Sequence, residues 1–181
     1  MIRETWLTLS YNNTGLARYT YLIGTTNDEI RTSQVKQEHV NFGDIIQFSF
    51  YKTYRNWTLK TLIGFKWATG VCSNAHFIIK TDDDVYVNIN GLLRTMLIHN
   101  RSLKSFVGGI CEMRLPRDTN PASKWYVSPR KYPHCRHHGI CLGFGYITSV
   151  HTLHHILKVY ASIPYIHLED IYIYRNLCEK Y

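Results

Sequence analysis

The chain has 181 residues and is 45% hydrophobic, which fits one globular domain burying about two-thirds of its unfolded surface and leaves little room for a second domain. A formal charge of +8 suits an anionic ligand such as a nucleotide-sugar or an acidic membrane surface, but the 21 Lys and Arg residues are scattered rather than gathered in blocks, which argues against nucleic acid. No apolar run reaches the roughly 18 residues a membrane span needs, and the N-terminus lacks a signal-peptide pattern, so any membrane anchor is expected outside these residues.

In chain order, Ile2 to Leu7 reads as a short helix and Asn12, Asn13 and Gly15 as a polar turn. A first strand is expected from Tyr19 to Gly24. A helix follows through Ile30, Val35 and Glu38, capped by Asn27 or Asp28 and with Gly43 just beyond its end. The second strand covers Asp44 to Phe50. Asn56 then caps a longer helix in which Leu59, Leu62, Ile63 and Trp67, three or four residues apart, form the expected core face. A strand from His76 to Lys80, a helix from about Asn90 to His99 and a strand from Ser105 to Cys111 continue the alternation. Arg114 to Arg130, rich in charge and proline, reads as a long functional loop or irregular strands. Gly139, Gly143 and Gly145 suit sheet turns or close packing better than a phosphate loop. A helix from Thr148 to Tyr160 and a segment from Ile166 to Cys178 close the chain. Glu169 and Asp170 fall at a helix start, where negative charge is favoured and capping is the plain structural account. The alternation predicts an α/β fold with a mainly parallel sheet and helices on both faces.

The chemistry-bearing stretch is Phe77 to Asn88, where an apolar strand delivers Asp82, Asp83 and Asp84 to its carboxyl end, the edge at which open α/β sheets bind ligands. On extended backbone Asp82 and Asp84 face one side and Asp83 the other. Two such carboxylates can hold Mg²⁺ or Mn²⁺ together with substrate phosphates, and a solvated acidic turn is the alternative. The group His134, Cys135, His137, His138 and Cys141 matches no standard zinc spacing and reads as disulfide cysteines beside loop histidines. Asn-x-Ser/Thr sequons at Asn12, Asn56 and Asn100 tilt the compartment toward the secretory pathway.

Several stretches together resemble the β1,3-galactosyltransferase family of inverting, metal-dependent glycosyltransferases. They are Arg3 to Trp6, Asn56 to Thr61, Trp67, Cys72, the Lys80 to Asn88 signature, Trp125, Val127, Ser128, Tyr132-Pro133, Cys141, Gly143, Gly145-Tyr146, Ser149 and Glu169-Asp170, in the family's order. The resemblance implies a GT-A type, Rossmann-like fold, a UDP-sugar donor, Mn²⁺ and a glycoprotein or glycolipid acceptor glycan. It implies Asp84 and Asp82 as metal ligands, with Asp82 and Asp83 on the nucleotide side. It also implies Asp170 as the catalytic base supported by Glu169, and Trp125 and Tyr146 as sugar-stacking or pocket residues, although large aromatics in strands also serve as core. A Golgi membrane protein facing the lumen, type II with its anchor outside this chain, is the expected setting. The family's strand before Arg3 is absent, the chain stops soon after Glu169-Asp170, and Tyr174 and His137 to Ile140 depart from the family pattern. These features suggest a single domain truncated at both ends and keep open a non-catalytic fragment, pseudoenzyme or chaperone-like relative.

Overall fold

The computed structural model describes residues 2–8, 17–51, 53–72 and 74–178. Its first unit is strand, helix, strand: β1 (Tyr21–Thr25), α1 (Glu29–Phe42) and β2 (Ile45–Tyr51), with β1 and β2 paired in parallel. The local chemistry fixes the limits of α1. The Asp28 carboxylate accepts the Arg31 N–H at 3.1 Å, and Gly43 leaves the helix in the left-handed region at φ 67°, which a glycine adopts without a Cβ penalty. Arg3, in a short 3₁₀ turn at Ile2–Glu4, ties the chain start to this unit. Its guanidinium forks onto both Asp44 carboxylate oxygens at 2.6 and 2.8 Å, reaches Glu38 at 2.6 Å, and lies over the Phe42 ring.

The second unit carries the core. α2 (Trp57–Val71) leads to β3 (Phe77–Thr81), followed by α3 (Ile89–Ile98), the single turn α4 (Asn100–Leu103), β4 (Val107–Pro116), β5 (Arg136–Ser149), α5 (Val150–Val159) and α6 (Glu169–Cys178). The strands order as β3-β5-β4, antiparallel throughout, so the parallel pairing expected for most of the sheet is confined to β1 and β2. A strand's own residues do not encode its partner's direction. The α/β class stands, with helices against both sheets in a GT-A-like arrangement. Leu62 and Phe65 of α2, Tyr146 of β5, Leu153 and Ile156 of α5, and Ile171 and Tyr172 of α6 close the core.

The face α2 turns inward is only partly the expected one: Leu62 is core and Trp67 half-buried. Thr58, Thr61, Leu62, Gly64, Phe65 and Ala68 are buried, while Leu59 and Ile63 are exposed. The reason is polar: Thr58 Oγ1, fully buried, donates to the Ile166 carbonyl at 2.9 Å, and a Cβ on Gly64 would collide with Leu22 Cδ1 of β1. Asn56 stands at the cap position of α2 without a side-chain bond to the helix. The Arg114 to Arg130 stretch resolves into the end of β4 and a long β4–β5 connection, closed by Arg117 N–H on the Cys135 carbonyl at 3.0 Å and anchored in the core by Val127 and Tyr132. Cys111 and Cys141, directly opposite across β4 and β5, form a disulfide, and the hydroxyl of Tyr174 packs against it while donating to the Val107 carbonyl at 3.0 Å. Cys72 and Cys135 are free thiols. The turn expected at Asn12 to Gly15, with its sequon, lies outside the described residues.

Candidate active site

Between Gly109, opposite Tyr146, and Cys111, opposite Cys141, the β4–β5 register jumps, so Leu142 to Gly145 of β5 bulge away from β4. This bulge builds the site. Its backbone carbonyls turn toward the end of β3: the Asp82 N–H donates to the Phe144 carbonyl at 3.0 Å, Thr81 Oγ1 reaches the same oxygen at 3.2 Å, and Lys80 Nζ donates to the Gly143 carbonyl. On its other side Gly143 abuts the start of α6, where a Cβ would stand 3.2 Å from Glu169 Oε2 and 3.7 Å from Asp170 Oδ2. The glycine is therefore a close-packing residue, as its spacing allowed.

A cleft of about 420 Å³ opens here, with Asp82 and Lys80 on one side and Glu169 and Asp170 on another. Lys80 joins them. Its ammonium lies 2.5 Å from Asp82 Oδ1 and 3.6 Å from Glu169 Oε2. Glu169 is only 6% exposed, and its other oxygen accepts the Tyr146 hydroxyl. Burial pushes the Glu169 carboxyl up to about 7 against the pull of Lys80 and Tyr146. The same burial, reinforced by Glu169, holds the Tyr146 hydroxyl well above its ordinary value. Asp170 is raised by burial too, opposed by the Ile171 N–H that its Oδ1 accepts at 2.8 Å. Glu169 thus has both oxygens engaged, while Asp170 is half-buried at the cleft.

The three acids part company at the end of β3. Asp82 is half-buried and lines the cleft, whereas Asp83 and Asp84 occupy an exposed turn, because the extended backbone that alternates side chains ends at Thr81. Among the described residues no three His, Cys, Asp or Glu side chains gather as a metal site. Asp82 and Asp84 carry oxygen donors of the kind Mg²⁺ or Mn²⁺ takes, but only Asp82 lines the cleft, with its Oδ1 2.5 Å from Lys80 Nζ. Trp125 lines the cleft and is exposed, with Lys124 Nζ 4.5 Å from its ring centroid. Tyr146 does not line the cleft; it is buried beneath it as the support of Glu169. Of the histidine and cysteine group, His137 is buried on β5 and lines the cleft, and Cys141 is in the disulfide.

The sequence alone does not single out Lys80 and Trp57 as site residues. Lys80 has a readable signal, since it stands two residues before Asp82 in the strand-like run of the sequence, a spacing that predicts a shared face. Trp57, at the first position of α2, has none, because its place at the cleft depends on how the helix start meets the segment before α6.

The model of the galactosyltransferase family matches residues 1–181. The chain is 37% identical over 177 residues to beta-1,3-galactosyltransferase 5 of Homo sapiens, covering 98% of this chain and 56% of that protein. It is 36% identical over 180 residues to beta-1,3-galactosyltransferase 1 of Mus musculus, covering 98% and 54% respectively. The chain therefore spans little more than half the length of these curated relatives.

Proposed function

This chain belongs to the galactosyltransferase family, and from that premise we propose that it transfers galactose from a UDP-sugar to a glycan hydroxyl in a single inverting step, forming a β1,3 linkage. The observation that carries the reading is the placement of Asp82 and Asp170 on one cleft, linked through Lys80 and Glu169. Asp82 and Asp84 would hold Mn²⁺, with Asp82 and Asp83 facing the nucleotide, and the ion would offset the charge that builds on the departing diphosphate. Asp170 takes the proton from the acceptor hydroxyl as its oxygen forms the new bond to the anomeric carbon. The bond from that carbon to the diphosphate breaks, and UDP leaves with its electron pair. Glu169, engaged by Tyr146 and Lys80, sets the position and local charge beside the base.

The compartment we propose is the Golgi lumen, with a type II anchor outside this chain and a glycoprotein or glycolipid as acceptor. The Cys111–Cys141 disulfide supports an oxidising setting, and Asn100 is an exposed sequon. No helix among the described residues is long and apolar enough to cross a membrane. The test is UDP release from a panel of UDP-sugars with glycoside acceptors, with and without Mn²⁺. We expect release from UDP-galactose that requires both acceptor and metal, and release from none of the panel would overturn the assignment.

A further inference from the structure

Two tryptophans border the cleft that holds Asp170, and both keep large exposed areas, 41% for Trp57 and 55% for Trp125. Exposed indoles beside a carboxylate suit a ligand with one apolar face and a rim of hydroxyls, the character of a pyranose ring. One short segment holds both. The Tyr165 hydroxyl donates to the Arg55 carbonyl at 2.5 Å, and the Ile166 carbonyl accepts from buried Thr58 Oγ1 at 2.9 Å, so Trp57 is bracketed on both sides. His167 Nε2 lies 3.0 Å from the Lys124 carbonyl, the residue before Trp125. Tyr165 to His167 lead directly into Glu169 and Asp170, so the elements carrying the indoles and the carboxylate are fixed to one stretch of backbone.

We propose that Trp57 joins the family's expected stacking residue Trp125 to complete an aromatic subsite for the acceptor pyranose, that the Tyr165–His167 segment positions it against Asp170, and that Trp57 is a specificity-determining residue. The assignment of an acceptor rests on the transferase reading; the subsite itself rests on the geometry. The test uses methyl β-N-acetylglucosaminide and methyl β-galactoside as probes in the presence of UDP and Mn²⁺, with binding followed by NMR of the indole N–H resonances. In the wild type, the Trp57 and Trp125 signals should shift on titration while those of Trp6 and Trp67 stay. Trp57→Leu should weaken binding of the preferred glycoside about tenfold or more, with UDP affinity by calorimetry unchanged, and Trp57→Phe should restore part of the loss.

Glycosides that leave both indole signals unmoved, or that bind Trp57→Leu as tightly as the wild type, overturn the subsite even if galactose transfer is observed. Trp57-dependent glycoside binding supports it even if transfer fails, so the two readings are separable. The indole titration needs no substitution and stands if Trp57→Leu does not fold.

Discussion

Glu169 carries a sharp expectation about pH. Its carboxyl is buried, and its proton is held up to about 7 rather than the ordinary 4.5. Between those values the folded chain keeps a proton that the unfolded chain has released, so the carboxyl favours folding below the window and loses that advantage as pH rises through it. The interval corresponds to about 3 kcal/mol over the whole window. Glu169→Gln preserves the shape and removes the titration. Urea unfolding of both proteins at intervals from pH 4.5 to 8, with the disulfide intact, gives a stability difference from which other titrating groups largely cancel. The Gln variant should gain on the wild type by about 3 kcal/mol from the acid to the alkaline end, about half of that being already enough to support the assignment. A difference that is flat with pH, or that moves in favour of the wild type as pH rises, refutes the claim that burial outweighs Lys80 and Tyr146 at this carboxyl.

Asp170→Asn should lower turnover by about 10²-fold or more with UDP affinity little changed, which steady-state kinetics beside calorimetry can read. UDP should bind more tightly with Mn²⁺ than without, and Asp84→Asn should remove most of that coupling; equal UDP affinity in both conditions would sink the metal assignment. Thr58→Val removes the donor to the Ile166 carbonyl and should cost about 1–3 kcal/mol in chemical denaturation, because that carbonyl loses its partner inside the protein. Gly109→Ala places a Cβ 2.8 Å from the Gly145 carbonyl oxygen, where backbone must give way, and should destabilise by about 1–3 kcal/mol.

Where the local chemistry decides the outcome, the sequence announces it. Asp28 and Gly43 bound α1 as expected, whereas the caps of α3 and α5, Asn88 accepting the Gly91 N–H and Ser149 accepting the Thr152 N–H, shift the helix starts from the expected Asn90 and Thr148. The acids at the end of β3 and at the start of α6 were legible for the same reason. What escaped was set by partners far along the chain. Thr58 faces inward on α2 because its hydroxyl meets a carbonyl more than a hundred residues away, Thr61 is buried on the same helix, and a hydrophobic pattern assigns such residues to the surface. The antiparallel course of β3 and β4 beside β5 is a matter of pairing, which the alternation of strands and helices does not specify. Tyr146, an aromatic on a strand, is core, and its hydroxyl gives it a site role from below.

The bulge of Leu142 to Gly145 has a consequence for how this chain can vary in length. On one side it is stapled by Cys141 to Cys111; on the other, Gly109 sits so close to the Gly145 carbonyl that no larger residue fits without displacement. The number of residues between those two fixed points determines which carbonyls meet Lys80 and which glycine abuts Glu169. A deletion there would rotate the strand by one position and exchange its inner and outer faces. The connection from Arg117 to Cys135 is different, because a loop absorbs added length at small entropic cost. Insertions and deletions should therefore be tolerated in the exposed parts of that connection away from the cleft-lining Asp118 and Trp125, and excluded from the few residues on either side of the staple, so that the spacing of the candidate site behaves as a counted quantity.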